Sequence, residues 1–134
     1  MIEYSYRCII KKVIPLDTES NEQLVEVCVN GKNIVCFNQC LQDFRKIKEC
    51  LATFRLLTFD INKSYKKIRK IVKLKIPQSV ARHIVYGQII DIGKRNRNPK
   101  AIIDCGIKIE IELNNKRVKI GDYVCAEGRL DIFT

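Results

Sequence analysis

The chain has no tryptophan, one histidine (His83), three prolines, and only five tyrosines and five phenylalanines. Each shortage narrows the function. A single imidazole leaves no His-based metal site and one candidate for the commonest general base. His83 stands just before an apolar run, where a solvated or structural role is the ordinary one. The six glycines are scattered singly, so there is no phosphate-cradling glycine-rich loop and no Gly-x-Ser-x-Gly nucleophile turn. No stretch approaches the ~18 consecutive apolar residues of a membrane-spanning helix. Met1–Arg7 is too polar for a signal peptide, so residence in the cytoplasm or nucleus is expected. The sequence predicts no catalytic residue, no metal and no cofactor.

What the chain does have is cysteine and positive charge. The seven cysteines are odd in number. Cys8, Cys28, Cys36 and Cys125 lie in apolar strand-like runs, where they read as small buried hydrophobes kept reduced. Cys36 and Cys40 form one close pair without a second pair to complete a zinc site. The formal net charge is +10, which favours an anionic partner. Its distribution says more than its size. Acids and bases balance from Met1 to Asp60. From Ile61 to Lys100 there are twelve Lys/Arg and one acid, Asp91.

The pattern along the chain is that of short strands. Runs at Tyr4–Ile14, Leu24–Val29, Ile34–Phe37 and Leu51–Ile61 carry β-forming residues, and Asn30-Gly31 is a strong hairpin signal because both residues accept positive φ. Phe37, Leu41, Phe44, Ile47 and Leu51 recur at three- and four-residue spacing, which predicts a short helix over Gln39–Lys48 capped by Asn38. The basic connector 62–76 reads as a helical turn running into a strand at Val72–Ile76, ended by Pro77. Further strands are expected at Ile84–Ile92, Ala101–Cys105, Ile107–Leu113 and Tyr123–Phe133, with turns at Asn114-Asn115 and Gly121-Asp122. Two stretches echo earlier ones: Tyr6–Ile10 in Tyr86–Ile90, and Cys50–Leu56 in Val124–Leu130. The first echo places Tyr6 and Tyr86 alike in the core.

Strand, strand, strand, helix, strand, with the Asn30-Gly31 hairpin and the helix at Gln39–Lys48, resembles the OB-fold superfamily. Lys119–Val124 leading into Glu127–Leu130 is similar to the hydrophobic-Gly-Asp-strand feature of OB-like and S1-like small barrels. The resemblance implies a mainly β protein of two OB-like antiparallel β-barrel modules, one internal duplication, with modules at 1–77 and 78–134. The alternative is a single β-barrel domain over 1–134.

A fold of this kind implies a non-enzymatic nucleic-acid-binding protein, gripping the backbone with little sequence preference and favouring single-stranded DNA or RNA. The expected phosphate contacts are Arg95 and Arg97, supported by Lys94 and Lys100 in the same loop and by Lys66, Lys67, Lys70 and Lys73 in the connector. Scarce aromatics keep base stacking subordinate, with Tyr65 and Tyr123 the freer candidates. The corresponding loop of the first half, Asp17–Glu22, is acidic and would repel phosphate. The alternative function is a protein-interaction or assembly module that pairs exposed strand edges with a partner.

Overall fold

The computed structural model describes residues 1–17, 19–20, 22–40, 42–74, 81–93 and 98–134. Nine strands follow one another: β1 (Tyr6–Pro15), β2 (Gln23–Val29), β3 (Lys32–Asn38), β4 (Glu49–Lys63), β5 (Lys70–Lys73), β6 (Arg82–Ile92), β7 (Lys100–Asp104), β8 (Lys108–Glu112) and β9 (Tyr123–Phe133). The turns form where the sequence places them. Asn30 and Gly31 take φ of 49° and 75°, the left-handed pair of a tight hairpin. Asn114 and Asn115 do the same at 50° and 64°.

The helix expected at Gln39–Lys48 does not form. Among the described residues of that stretch only a 3-10 turn, Phe44–Lys46, is helical; Leu41 lies outside the described residues. Side chains compete for the backbone groups that a helix would need. Asn38 donates to the carbonyl of Gln42 and accepts from the N–H of Cys40, and Asp43 accepts from the N–H of Arg45. One turn is enough to bury Phe44 completely, and a helix this short nucleates poorly. The described residues of the connector, 62–74, contain no helical turn either. Residues 64–69 are irregular and lead into β5.

All nine strands belong to one sheet that closes on itself twice. The first ring is β1-β2-β3-β9-β4, completed by the β1–β4 pairing; the second is β4-β8-β7-β6-β9, completed by β4–β9. The longest strand, β4, and the last, β9, therefore serve both rings. They pair antiparallel along Thr53–Lys63 and Val124–Phe133. β9 then runs parallel to β3, and β4 parallel to β8. Ring interiors are lined by alternate residues: Val25, Val27, Cys36, Phe54 and Ile132 in the first, Val85, Ile89, Ile103, Ile109 and Val124 in the second. They merge into one buried cluster.

The two halves pair in the same register. Ile9↔Cys28, Cys28↔Asn33 and Cys8↔Cys50 in the first half match Gln88↔Asp104, Asp104↔Lys108 and Gly87↔Val124 in the second. The numbering differences are 79 for β1 (Ile9 to Gln88), 76 for β2 (Cys28 to Asp104), 75 for β3 (Asn33 to Lys108) and 74 for β4 (Cys50 to Val124). Bulges fall at matching points, between Ile10 and Lys12 and between Ile89 and Asp91. Leu56 pairs with Leu130, its own counterpart, in the middle of the shared ladder.

This register keeps the second sequence echo and moves the first by one residue. Tyr6 corresponds to Val85, and Tyr86 to Arg7. Because side chains alternate, that single step puts Tyr86 on the opposite face from Tyr6. Tyr6 packs against the core, whereas Tyr86 faces out beneath the Lys70 ammonium, 5.3 Å from its ring.

Gly128 sits where the backbone of β4 leaves no room for a side chain on β9. A Cβ there would collide with the Leu57 carbonyl. Gly128→Ala is expected to destabilise the protein by about 2–3 kcal/mol through forced backbone displacement, read as a lower midpoint in urea with unchanged slope.

Candidate nucleic-acid interface

The basic connector crosses the outer face of the second ring. β4 ends at Lys63, whose ammonium lies 3.5 Å from Asp122. Ser64 then makes a local turn, its hydroxyl accepting from the N–H of Lys66. That turn throws Tyr65 outward, and its side chain is fully exposed at 104% of the reference area. Lys66 and Lys67 follow, both exposed. Arg69 folds back onto the sheet. Its guanidinium donates to Gln88 at 2.8 Å, lies 3.5 Å from Asp104 and sits 5.4 Å from the Tyr123 ring. β5 then joins β6 as an edge strand, with Lys70 opposite Tyr86 and Lys73 opposite His83.

Charge on this surface sorts into two groups. Lys63 and Arg69 have carboxylate partners. Lys66, Lys67, Lys70 and Lys73 have none within 4 Å among the described residues, and all four are exposed. The aromatic rings sort the same way. Tyr123 is covered by Arg69 and Tyr86 by Lys70, so Tyr65 alone of these three has both faces open. Of the connector lysines expected from the sequence, Lys66 and Lys67 follow Tyr65 directly, whereas Lys70 and Lys73, three residues apart on β5, point to opposite sides of that strand.

The other expected contacts are placed differently. Lys94, Arg95 and Arg97 lie outside the described residues. Lys100 opens β7, half-buried, with its ammonium 3.9 Å from Glu110. Lys100 stands level with Gly93 at the end of β6, about 20 Å along that strand from Lys70, which is opposite Tyr86.

His83 is neither solvated nor ahead of its strand. It lies inside β6, fully buried, with Nδ1 2.7 Å from the Ala81 carbonyl and Nε2 without a partner among the described residues. Burial holds its pKa below the usual histidine value, helped by the Lys73 charge and opposed by the bond to Ala81. The unfolded chain therefore takes up a proton more readily than the folded one. Stability contributed by neutral His83 is complete above about pH 6.5 and is lost as pH falls from there towards the lower folded pKa, at up to about 1.4 kcal/mol per pH unit. Unfolding free energies from urea titrations at pH 7.5 and 5.5 should differ by up to about 1.4 kcal/mol, and His83→Phe should remove most of the difference.

Burial also raises the thiols of Cys8 and Cys105 to about 12, leaving both as protonated packing groups at neutral pH. Cys28 and Cys125, expected buried, are only half-buried because they lie on the outward side of their strands.

A second set of side chains has no counterpart among the expected site residues. On the outer face of the β4–β9 ribbon, Arg55 lies 4.3 Å from the Phe133 ring, Arg129 4.3 Å from Phe37 and Arg82 4.9 Å from Phe59. Arg55 and Arg129 are counterparts and are the arginines of the second sequence echo, the one signal that could have found them. Each guanidinium already has a carboxylate: Glu110 at 3.2 Å for Arg55, Asp131 at 2.6 Å for Arg129, Glu127 at 2.5 Å for Arg82. The face is neutral and offers a polyanion little. A cavity of about 220 Å³ beside it, lined by Met1, Tyr4, Arg55, Lys108 and Glu110, falls below the usual volume of a small-molecule site. Among the described residues, no group of three His, Cys, Asp or Glu side chains is arranged to hold a metal, and no helix is long and apolar enough to cross a membrane.

No family model and no curated protein matches the chain. Its structure is similar to that of the cytoplasmic molybdate-binding protein ModG, solved from a PEG-grown crystal with molybdate bound, with a TM-score of 0.53 over 96% of this chain and 94% of that one. Sequence identity is 12%, so the likeness is one of fold.

Proposed function

We propose that this is a non-enzymatic nucleic-acid-binding protein that holds single-stranded DNA or RNA by its backbone with little sequence preference. The observation that carries the reading is the set Lys66, Lys67, Lys70 and Lys73, exposed and without carboxylates among the described residues, along one segment that also carries the fully exposed Tyr65. Ammonium groups neutralise phosphates, and one open ring stacks one base without selecting it. We infer that Lys94, Arg95, Arg97 and Lys100 add further phosphate contacts. The protein works inside the cell, where its thiols stay reduced.

We further infer that the halves 1–77 and 78–134 are copies of one OB-like module. The matching registers and bulges support this, as does the pairing of Leu56 with its counterpart Leu130.

The test is fluorescence anisotropy with single-stranded and duplex DNA and RNA at low and physiological salt. Single strands should bind at low salt and weaken as salt rises. Molybdate, the ligand of the structural neighbour, should compete only weakly if the lysines serve a polyanion. Absence of binding to all four nucleic acids at low salt would overturn the reading, and tight molybdate binding would replace it.

A further inference from the structure

Among the described residues, β5 is the strand that belongs to neither ring. It pairs with β6 alone, and both rings stay closed without it. It also contributes no fully buried side chain. Ile71 and Val72 are half-buried, and Lys70 and Lys73 are exposed. Each of the other eight strands carries at least one buried residue. An edge element with so little burial opens ahead of the rest of the fold. Its start is tied down by Arg69, which holds Gln88 and Asp104. Its far end is held by the N–H of Leu74, which donates to the Arg82 carbonyl at 2.9 Å.

The buried imidazole of His83 lies under that far end. Its ladder partners are Lys73 on β5 and Gly128 on β9. Glycine has no side chain, so of the two flanking strands only β5 sets one beside the ring. The Ala81 carbonyl can only accept, so Nδ1 carries the proton and Nε2 is a bare lone pair. Nε2 is buried without a partner among the described residues. A proton added there would find no acceptor and would stand beside the Lys73 ammonium. No carboxylate compensates. Arg82, Glu127, Arg129 and Asp60 lie on the opposite face of the sheet, where Arg82 meets Glu127 and Arg129 meets Asp131. β4 brings the uncharged Thr58 opposite Gly128.

We propose that His83 is an acid-sensitive latch for β5: a proton reaches Nε2 only when β5 leaves β6, so acidification releases Lys70–Lys73 while both rings stay closed. The docked form excludes the proton, and the released form takes it up near the ordinary histidine value of about 6.5. Below that value the opening equilibrium rises by up to about tenfold per pH unit. Release separates Lys70 from Tyr86 and Lys73 from His83. Its effect on a bound polyanion rests on the nucleic-acid reading, whereas the release itself does not.

Amide hydrogen exchange on the full chain without ligand, read by NMR and corrected for intrinsic rates, tests the latch. The Val72 and Leu74 amides face β6 in the ladder alternation. They should be less protected than the amides of the β4–β9 ladder. Their protection should fall by up to about tenfold from pH 6.5 to 5.5. His83→Phe should abolish that fall. Lys73→Met, which removes only an exposed ammonium, should reduce it and keeps the test available if His83→Phe does not fold. Equal protection in β5 and the β4–β9 ladder would mean that the proton enters only by global unfolding, and it overturns the proposal. So does β5 protection that ignores pH, or a fall that persists undiminished in both variants. Loss of oligonucleotide binding in a separate assay would bear on the nucleic-acid reading and leave the latch standing.

Discussion

Neither half of the chain will fold alone. Residues 1–77 expressed separately, or 78–134 expressed separately, should show no cooperative thermal transition, and mixing the two should restore one. The expectation follows from strand sharing. Without β9 the first ring loses its closure between β3 and β4, and Phe54 and Leu56 lose their ladder partners Ile132 and Leu130. Without β4 the second ring opens between β8 and β9, and Ile111 and Leu130 face water. Units of this size bury only about 60% of their chain surface even when complete. The loss of the β4–β9 ladder also leaves long apolar strand edges, which aggregate. A cooperative transition in either half alone would show that the shared strands are dispensable.

The second large effect concerns the connector. Reversing Lys66, Lys67, Lys70 and Lys73 to glutamate should abolish measurable binding to a single-stranded oligonucleotide and leave the fold intact. All four side chains are exposed and unpaired, so their replacement breaks no ion pair. The magnitude follows from counterion release. Each phosphate contact on a single strand contributes about −0.7 to the slope of log K against log salt, so four contacts give a slope near −3 and about a 50-fold loss between 50 and 200 mM salt. Tyr65→Ala should cost a further ~1–3 kcal/mol if one base stacks on the ring. Reversal of Arg55 or Arg129 would be a poor comparison, because each already holds a carboxylate and an aromatic ring.

Much of the local structure was legible in the sequence. Alternation of apolar residues found the strands, and Asn30-Gly31 and Asn114-Asn115 found the turns, because these signals depend on nearest neighbours. The helix at Gln39–Lys48 was misread because spacing reports which side chains want burial. It does not report whether Asn38 and Asp43 will capture the backbone groups first. The echo of Tyr6 in Tyr86 matched residue types but missed the register by one. Only the cross-strand pairs reveal that slip, and it moves Tyr86 from core to surface. The sharing of β4 and β9 was not legible. Nothing local to Leu56 or Leu130 says that they lie opposite one another. Of the site, the clustering of lysines was plain, whereas the capture of Tyr123 by Arg69 and of Lys100 by Glu110 depends on residues distant in sequence. Tyr65 stood out as a candidate for stacking, but its isolation as the open ring required the positions of Arg69 and Lys70.

The most direct test of the nucleic-acid reading is the salt dependence of binding to a single-stranded oligonucleotide, measured by anisotropy between about 50 and 200 mM. Contact through the four connector lysines predicts a slope near −3. Engagement of Lys94, Arg95, Arg97 and Lys100 as well predicts one between about −5 and −6. A slope near zero, or no binding at the lowest salt, would contradict the account.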